Sequence, residues 1–400
     1  MRILVMVNNF PWPQSIDGTF NLLHLRALRE LGHEICVLRW APWAPPLRKQ
    51  WKRYRSIPDA YEYDGFRVRT LRVLIGPANL AIGSIRRQRQ GAIAREIAAF
   101  TPDVVQVHGL IPAGVMALDS PVPYVLTGHG TETYKTPFLR DSLRALSHEI
   151  VTRAAFCVGV SDFVAGKLRM LGARDPRVIF NGADEDIFFP RDRVAARLEL
   201  GLHPNRPTVM YAGHMLAQKG MAELQAAALA LREMQPQFIF AGGNAMQPEI
   251  ERTLRAAKID ALFPGVVGHE KLATLYAAAD VVTLPSYAEG LPLLVCEAMC
   301  SGRAVVATNV GGIPEIVRDG ETGYLIPPRD ADALTDRLRR VLAGQPIRER
   351  FERAAYTFAR EHLTWRVNAR AYDEIYRDIV AGRYGNDGSS SALPALSTSA

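Results

Sequence analysis

Short apolar runs alternate with helix-patterned stretches in two successive series along this 400-residue chain, and that alternation restricts it to parallel, doubly wound sheets. A strand buried under helices on both faces reads as a continuous apolar run, because neither side meets water. The first series places strands at 3–7, 34–38, 67–71, 104–107, 124–127 and 156–160, with helices at 20–31 and 92–100. Asn181-Gly182-Ala183-Asp184, then Pro190 and an Arg-rich polar stretch, mark a boundary. The second series places strands at 208–212, 238–241, 281–284, 304–307 and 323–326, with helices at 331–342 and 365–380. Two Rossmann-like α/β units are expected, 1–185 and 186–364. From Gly382 the chain turns to Gly, Ser, Ala and Thr without periodicity, and 383–400 reads as a disordered tail.

The segment 288–299 carries the chemistry. Glu289 stands in a turn, and Glu297 lies seven residues later in a run, 293–300, that is otherwise apolar. Pro292 suits the first helical position and Gly302 the helix end. A carboxylate buried at Glu297 costs several kcal/mol unless donors or a cation satisfy it. The vicinal diol of a ribose supplies two hydroxyl donors; a core cation such as Arg303 is the alternative partner. The helix start beside Glu289 offers free N–H groups and positive potential to a phosphate, whereas a solvated turn would leave Glu289 idle. The preceding strand, 281–284, feeds this loop, and ligands of open α/β sheets bind at the carboxyl ends of strands.

Composition narrows the classes. With 48% hydrophobic and 22% charged residues the chain reads as a soluble globular protein. No apolar run approaches the roughly 20 residues of a membrane span. Residues 1–7 are too short for a signal-peptide core and read as a first strand, so a cytoplasmic location is expected. Cys36, Cys157, Cys296 and Cys300 read as reduced core residues. The formal charge of +7 is uneven: Arg39, Arg48, Lys49, Lys52, Arg53, Arg55, Arg67, Arg69 and Arg72 crowd the first quarter, interleaved with Trp40, Trp43, Trp51 and Tyr54. Such a stretch is either a solvated loop or a surface for an anionic membrane, a lipid diphosphate or an acidic polysaccharide. Nucleic acid falls behind, because no nucleic-acid-binding motif accompanies it.

Five motifs, taken in order, resemble glycosyltransferase family 4, the retaining enzymes of GT-B fold. They are Val125-Leu126-Thr127-Gly128-His129-Gly130; Asn181-Gly182-Ala183-Asp184 with Phe188 and Pro190; Gly213-His214 with Lys219-Gly220; Glu289 to Glu297; and Gly311-Gly312-Ile313-Pro314-Glu315. The resemblance spans nearly the whole chain. It implies two Rossmann-like domains facing a central cleft, with the 365–382 helix crossing back onto the first. It also implies a nucleotide-diphosphate sugar, UDP- or GDP-linked, held by the second domain and a glycan or lipid-linked acceptor held by the first. Glu297 would bond the donor ribose and Glu289 the hydroxyls of the transferred sugar. Lys219 would bind the diphosphate, with Gly213, His214, Gly290, Leu291, Pro292 and Leu293 completing the donor site. His129 would face the sugar across the cleft; alone, it would read as a satisfied loop histidine.

Two departures stand out. Members usually carry Arg after the glycine corresponding to Gly213, where this chain has His214, a weaker and pH-dependent cation. Asp17-Gly18-Thr19 replaces the usual paired glycines of the acceptor and phosphate loop. No Asp-x-Asp pair is read near a strand end and no His/Cys cluster, so the sequence requires neither a metal nor a resident cofactor. The resemblance implies front-face substitution, with work in cell-surface polysaccharide assembly, and the basic, Trp-bearing first quarter adds an expected place at the inner face of the plasma membrane. The rivals are a GT-B enzyme acting as an epimerase or phosphorylase, and a catalytically silent sugar-nucleotide-binding subunit. A nicotinamide dehydrogenase is disfavoured, since neither half shows G-x-G-x-x-G after its first strand.

Overall fold

The computed structural model describes residues 1–15, 17–43, 52–74 and 80–384. The first sheet comprises β1 (Arg2–Val7), β2 (Glu34–Trp43), β3 (Ala60–Tyr63), β4 (Phe66–Leu74), β5 (Val104–His108), β6 (Tyr124–Gly128), β7 (Phe156–Gly159) and β8 (Arg177–Val178). Their order across the sheet is β3-β4-β2-β1-β5-β6-β7-β8. The second comprises β9 (Thr208–Ala212), β10 (Gln237–Ala241), β11 (Asp260–Gly265), β12 (Val281–Leu284), β13 (Ala304–Thr308) and β14 (Gly323–Ile326), in the order β11-β10-β9-β12-β13-β14. Pairing is parallel throughout except between β3 and β4. Each sheet reverses its strand order beside its first strand, between β1 and β5 and between β9 and β12, and a crevice opens at such a point.

The central strands match the apolar runs, whereas β3, β8 and β11 escape that reading. All three lie at sheet edges, where one side meets solvent and the apolar signal thins. β2 runs on to Trp43 and pairs along its length with β4, so part of the basic, aromatic stretch is sheet. Arg39 is buried, donates to the Phe10 carbonyl at 2.7 Å and stacks 4.3 Å from the Trp12 ring. Arg72 binds the Asp59 carboxylate and the Tyr54 carbonyl. Those two cations serve the fold instead of a ligand surface. Arg48, Lys49 and Trp51 lie outside the described residues, as does the tail from 385.

The helix Trp365–Val380 sets the relation between the units. Thr364 caps it by accepting from the Val367 N–H at 3.2 Å, and Trp365, Ala369, Tyr372, Ile375, Tyr376 and Ile379 recur at helical spacing on its buried face. That face packs with Ile3, Val5, Leu25, Leu28, Val104 and Val125 against the first sheet. The chain is pinned where it returns: Ala183 N–H donates to the Leu363 carbonyl at 2.8 Å, and Trp365 N–H to the Ala183 carbonyl at 3.1 Å. Ile375→Ala leaves a cavity in this layer and is expected to destabilise the protein by about 2–4 kcal/mol, read from urea unfolding. A loss below about 1 kcal/mol would mean that the helix is peripheral.

Candidate functional site

β12 leads through a loop to the helix Leu293–Cys300. Pro292 has φ −78° and ψ 125°, so it is the residue preceding the helix and not its first turn, one place earlier than the sequence suggests. Its extended ψ suits the cap position, and the Val295 N–H still reaches its carbonyl at 3.1 Å. The helix stops at Ser301, with Gly302 left-handed at φ 62°. Glu297 is 9% exposed and accepts from the Tyr276 hydroxyl at 2.9 Å. Burial pushes its carboxyl up to about 7, against which the Tyr276 hydroxyl works. Arg303 is not its partner; that guanidinium donates to the Ser301, Ala279 and Arg191 carbonyls.

Glu289 meets Lys219 instead. Its Oε1 lies 2.6 Å from the ammonium Nζ, which sits at the end of the short turn Ala217–Lys219 beyond β9. The loop carrying Glu289 then touches the first unit by backbone. Gly290 cannot bear a side chain, because a Cβ there would overlap the His129 carbonyl oxygen. The Gly290 carbonyl accepts from the Ser161 hydroxyl at 3.2 Å and from the Gly312 N–H at 2.9 Å. Asn181 Nδ2 donates to the Leu291 carbonyl at 3.1 Å.

Between the units lies a cleft of about 460 Å³, the size of a small-ligand site. His129, Glu132 and Lys135 line it from the first unit, and Lys219, Tyr287 and Glu289 from the second. His129 follows β6, its Nε2 2.9 Å from His108 Nδ1 with the rings stacked at 5.1 Å. The Glu132 carboxylate accepts the N–H groups of His129 at 2.6 Å and Gly130 at 2.9 Å, fixing the loop. Burial lowers the His129 pKa while Glu132 raises it, so the ring is neutral near pH 7.

The remaining expected residues are placed unevenly. Gly290, Leu291 and Leu293 line the cleft, whereas Glu297 and Pro292 do not. Gly213 and His214 are exposed beyond β9, away from the cleft lining; the His214 carbonyl accepts from the Tyr211 hydroxyl. Asp17, Gly18 and Thr19 start the helix Thr19–Glu30, with Gly18 left-handed at φ 80° and packed so that a Cβ would overlap the Asn9 carbonyl. The following Phe20 reaches the cleft, its ring 5.2 Å from that of His129. Sequence reasoning missed Glu132, Lys135 and Tyr287. A carboxylate in the first turn after Gly130 was the available signal for Glu132. It also missed Asp184-Glu185-Asp186 and Asp330-Ala331-Asp332 as Asp-x-Asp pairs. The first is a turn paired with Arg366, and in the second Asp330 caps a helix. Among the described residues no cluster of three His, Cys, Asp or Glu side chains forms a metal-binding group.

Residues 18–187 match the family model described as Glycosyltransferase Family 4, and residues 206–344 the one described as Glycosyl transferases group 1. The chain is 31% identical over 307 residues to D-inositol 3-phosphate glycosyltransferase of a Nocardioides species, covering 69% of this chain and 67% of that one. In structure it resembles sucrose-phosphate synthase from Thermosynechococcus elongatus, with TM-score 0.76, 22% identity, and coverage of 95% and 99%. It also resembles Anabaena HepE in complex with UDP-glucose, with TM-score 0.72, 17% identity, and coverage of 94% and 100%.

Glu297 gives the site a pH signature. Its carboxyl titrates near 7 when folded and near 4.5 when unfolded, so between these values the native state holds a proton that the unfolded chain has released. The stabilisation is fully present below about 4.5 and lost as pH rises through about 7, on the order of 3 kcal/mol over the window. Glu297→Gln is therefore expected to flatten the fall in melting temperature between pH 5 and 8. Identical pH profiles for both proteins would show that Glu297 is not the group concerned.

Proposed function

The chain belongs to glycosyltransferase family 4 and has the GT-B fold, and we propose that it is a retaining enzyme that moves a sugar from a nucleotide-diphosphate sugar to a hydroxyl of a glycan or lipid-linked acceptor. The observation that carries this reading is the Lys219–Glu289 pair, held at the strand ends of the second sheet and facing His129 across the cleft. A diphosphate entering here competes for Lys219 and frees Glu289 for the sugar hydroxyls. The N-terminus of the helix Leu293–Cys300 adds positive potential for the same phosphates. The cation thus stands where negative charge grows as the nucleotide departs, and the reaction needs no divalent ion. In the reaction the bond from the anomeric carbon to the phosphate oxygen breaks and one to the acceptor oxygen forms on the same face. The acceptor proton passes to the departing phosphate oxygen.

Glu297 is the ribose ligand in this reading, its ionised form being favoured when two hydroxyls donate to it. The HepE complex with UDP-glucose supports a sugar-nucleotide co-substrate, for which UDP- and GDP-linked donors are the two candidates. A polysaccharide or lipid-linked acceptor at an anionic membrane surface rests on the exposed aromatics Trp43 and Tyr54 among the first-quarter cations. No helix among the described residues is long and apolar enough to cross a membrane.

The test incubates the protein with α-linked UDP- and GDP-sugars and a panel of glycan and lipid-linked acceptors, after chelator treatment, and determines the product anomer by NMR. An α-linked product is expected. Lys219→Ala is expected to lower kcat by roughly 10²–10³-fold. A β-linked product would contradict retention, and activity lost to the chelator would contradict metal independence. Nucleotide binding without turnover on any acceptor would favour the silent subunit, a reading that the exposed His214 supports in place of a phosphate-binding Arg.

A further inference from the structure

The helix-covered face of the first sheet carries a polar seam that its apolar strand pattern does not require. Gln106 and His108 are two apart on β5, and Thr127 and His129 are two apart along and just beyond β6, so all four project from one face. His108 sits opposite Thr127 in the register. The surrounding side chains are Val5, Val104, Val125 and Val158. The helices Thr19–Glu30 and Trp365–Val380 close over this face and contribute His24 and Asn368.

Hydrogen-bond arithmetic fixes the protons at the far end of the seam. Asn368 Nδ2 donates to the Phe180 carbonyl at 2.7 Å, so its Oδ1 is the acceptor 2.6 Å from His24 Nδ1. His24 thus carries its proton on Nδ1, and its bare Nε2 accepts from Gln106 Nε2 at 2.8 Å. Burial pushes the His24 pKa down to about 4, which agrees with a neutral ring. His108 is wedged between two rings, edge-on to His24 at 5.3 Å and stacked on His129 at 5.1 Å. It too is held neutral by burial, its pKa well below the usual value. It therefore has one N–H to place. Its Nε2 is buried without a hydrogen-bond partner, and a buried orphan donor is rarer than a buried orphan acceptor. The proton belongs on Nδ1, which lies 2.9 Å from His129 Nε2.

We propose that His108 is a positioning residue: its Nδ1–H donates to His129 Nε2, fixing His129 in the Nδ1–H tautomer so that it presents a hydrogen-bond donor, not a base, to the sugar nucleotide. This rests on the reading of the cleft as the donor site. His129 then serves to grip an oxygen of the donor, and the acceptor proton leaves by the phosphate, as in the reaction above. The Gln106–His24–Asn368 set keeps the wedge in place and ties it to the returning helix.

The test is nitrogen-15 NMR of the full chain labelled at histidine, with His129→Gln used to assign the signals, and kinetics in parallel. In the wild type His129 is expected to show a protonated Nδ1 and an unprotonated Nε2 throughout pH 6–8. His108→Leu is expected to abolish that single tautomer and to lower kcat by roughly tenfold to a hundredfold, with the donor KM within about twofold. His108→Asn places an amide donor where Nδ1 stood and is expected to restore both the tautomer and most of kcat. A wild-type His129 protonated on Nε2 overturns the proposal, as does a tautomer unchanged in folded His108→Leu. If His108→Leu fails to fold, the wild-type spectrum and His108→Asn decide. Absence of any sugar-nucleotide binding by the wild type would refute the donor-site reading and leave the tautomer result standing by itself.

Discussion

Backbone-to-backbone contact at Gly290 is the constraint on which the cleft depends. The loop after β12 lies against the His129 carbonyl with no room for a Cβ, and the Gly290 carbonyl is held by Ser161 from one side and Gly312 from the other. Glu315 strengthens the same seam by accepting the Asp162 and Phe163 N–H groups at 2.6 and 3.0 Å, at the start of a first-unit helix. The ends of β6, β9 and β12 thereby place Lys219 and Glu289 opposite His129. Without the contact each unit would still have a core, but their chemical groups would not share a volume. The helix Trp365–Val380 secures the arrangement from behind by belonging to the core of the first sheet although it follows the second in sequence.

The charges of Lys219 and Glu289 in the cleft, and of the groups buried beside it, are largely compensated before any ligand binds. Lys219 is matched by Glu289, Glu297 is held near neutrality by burial, and His129 and His108 are neutral rings. A buried unpaired charge would cost several kcal/mol, and only Glu297 among these groups approaches one as it ionises near pH 7, with the Tyr276 hydroxyl as its donor. On the proposed reading an anionic diphosphate would change the balance: it would take Lys219, leave Glu289 for hydroxyl donors, and bring a ribose that favours ionised Glu297. In that reading the groups already stand in position, and binding would redistribute charge among them instead of creating it. Preorganisation of this kind is where electrostatic stabilisation of a transition state is most effective.

Much of this was legible in the sequence, for identifiable reasons. Central parallel strands are buried on both faces, so 104–107, 208–212 and 281–284 stand out as apolar runs, while the edge strands β3, β8 and β11 do not. Glu289 and Glu297 were conspicuous because a carboxylate inside or beside an apolar helix demands a partner. The partners themselves were not legible. Tyr276 reaches Glu297 from 21 residues away and Lys219 reaches Glu289 across 70, and no local pattern encodes such pairings. The polar seam was hidden for the opposite reason: Gln106 and His108 interrupt an apolar strand by single residues, which reads as noise until two helices are seen to cover that face. Arg39 and Arg72 show the converse error, since cations in a run suggest a surface although these two bind carbonyls and a carboxylate of the fold.

The central claim is that the cleft between the two sheets receives a nucleoside diphosphate sugar. Its most direct measurement is the melting temperature of the wild type and of Glu297→Ala across UDP-, GDP- and ADP-sugars and the free nucleotides at millimolar concentration. A ligand that binds only the folded state must raise it. The account predicts stabilisation of the wild type by one nucleoside diphosphate series, lost in Glu297→Ala. No stabilisation of the wild type by any series, or the same stabilisation in both proteins, would contradict it.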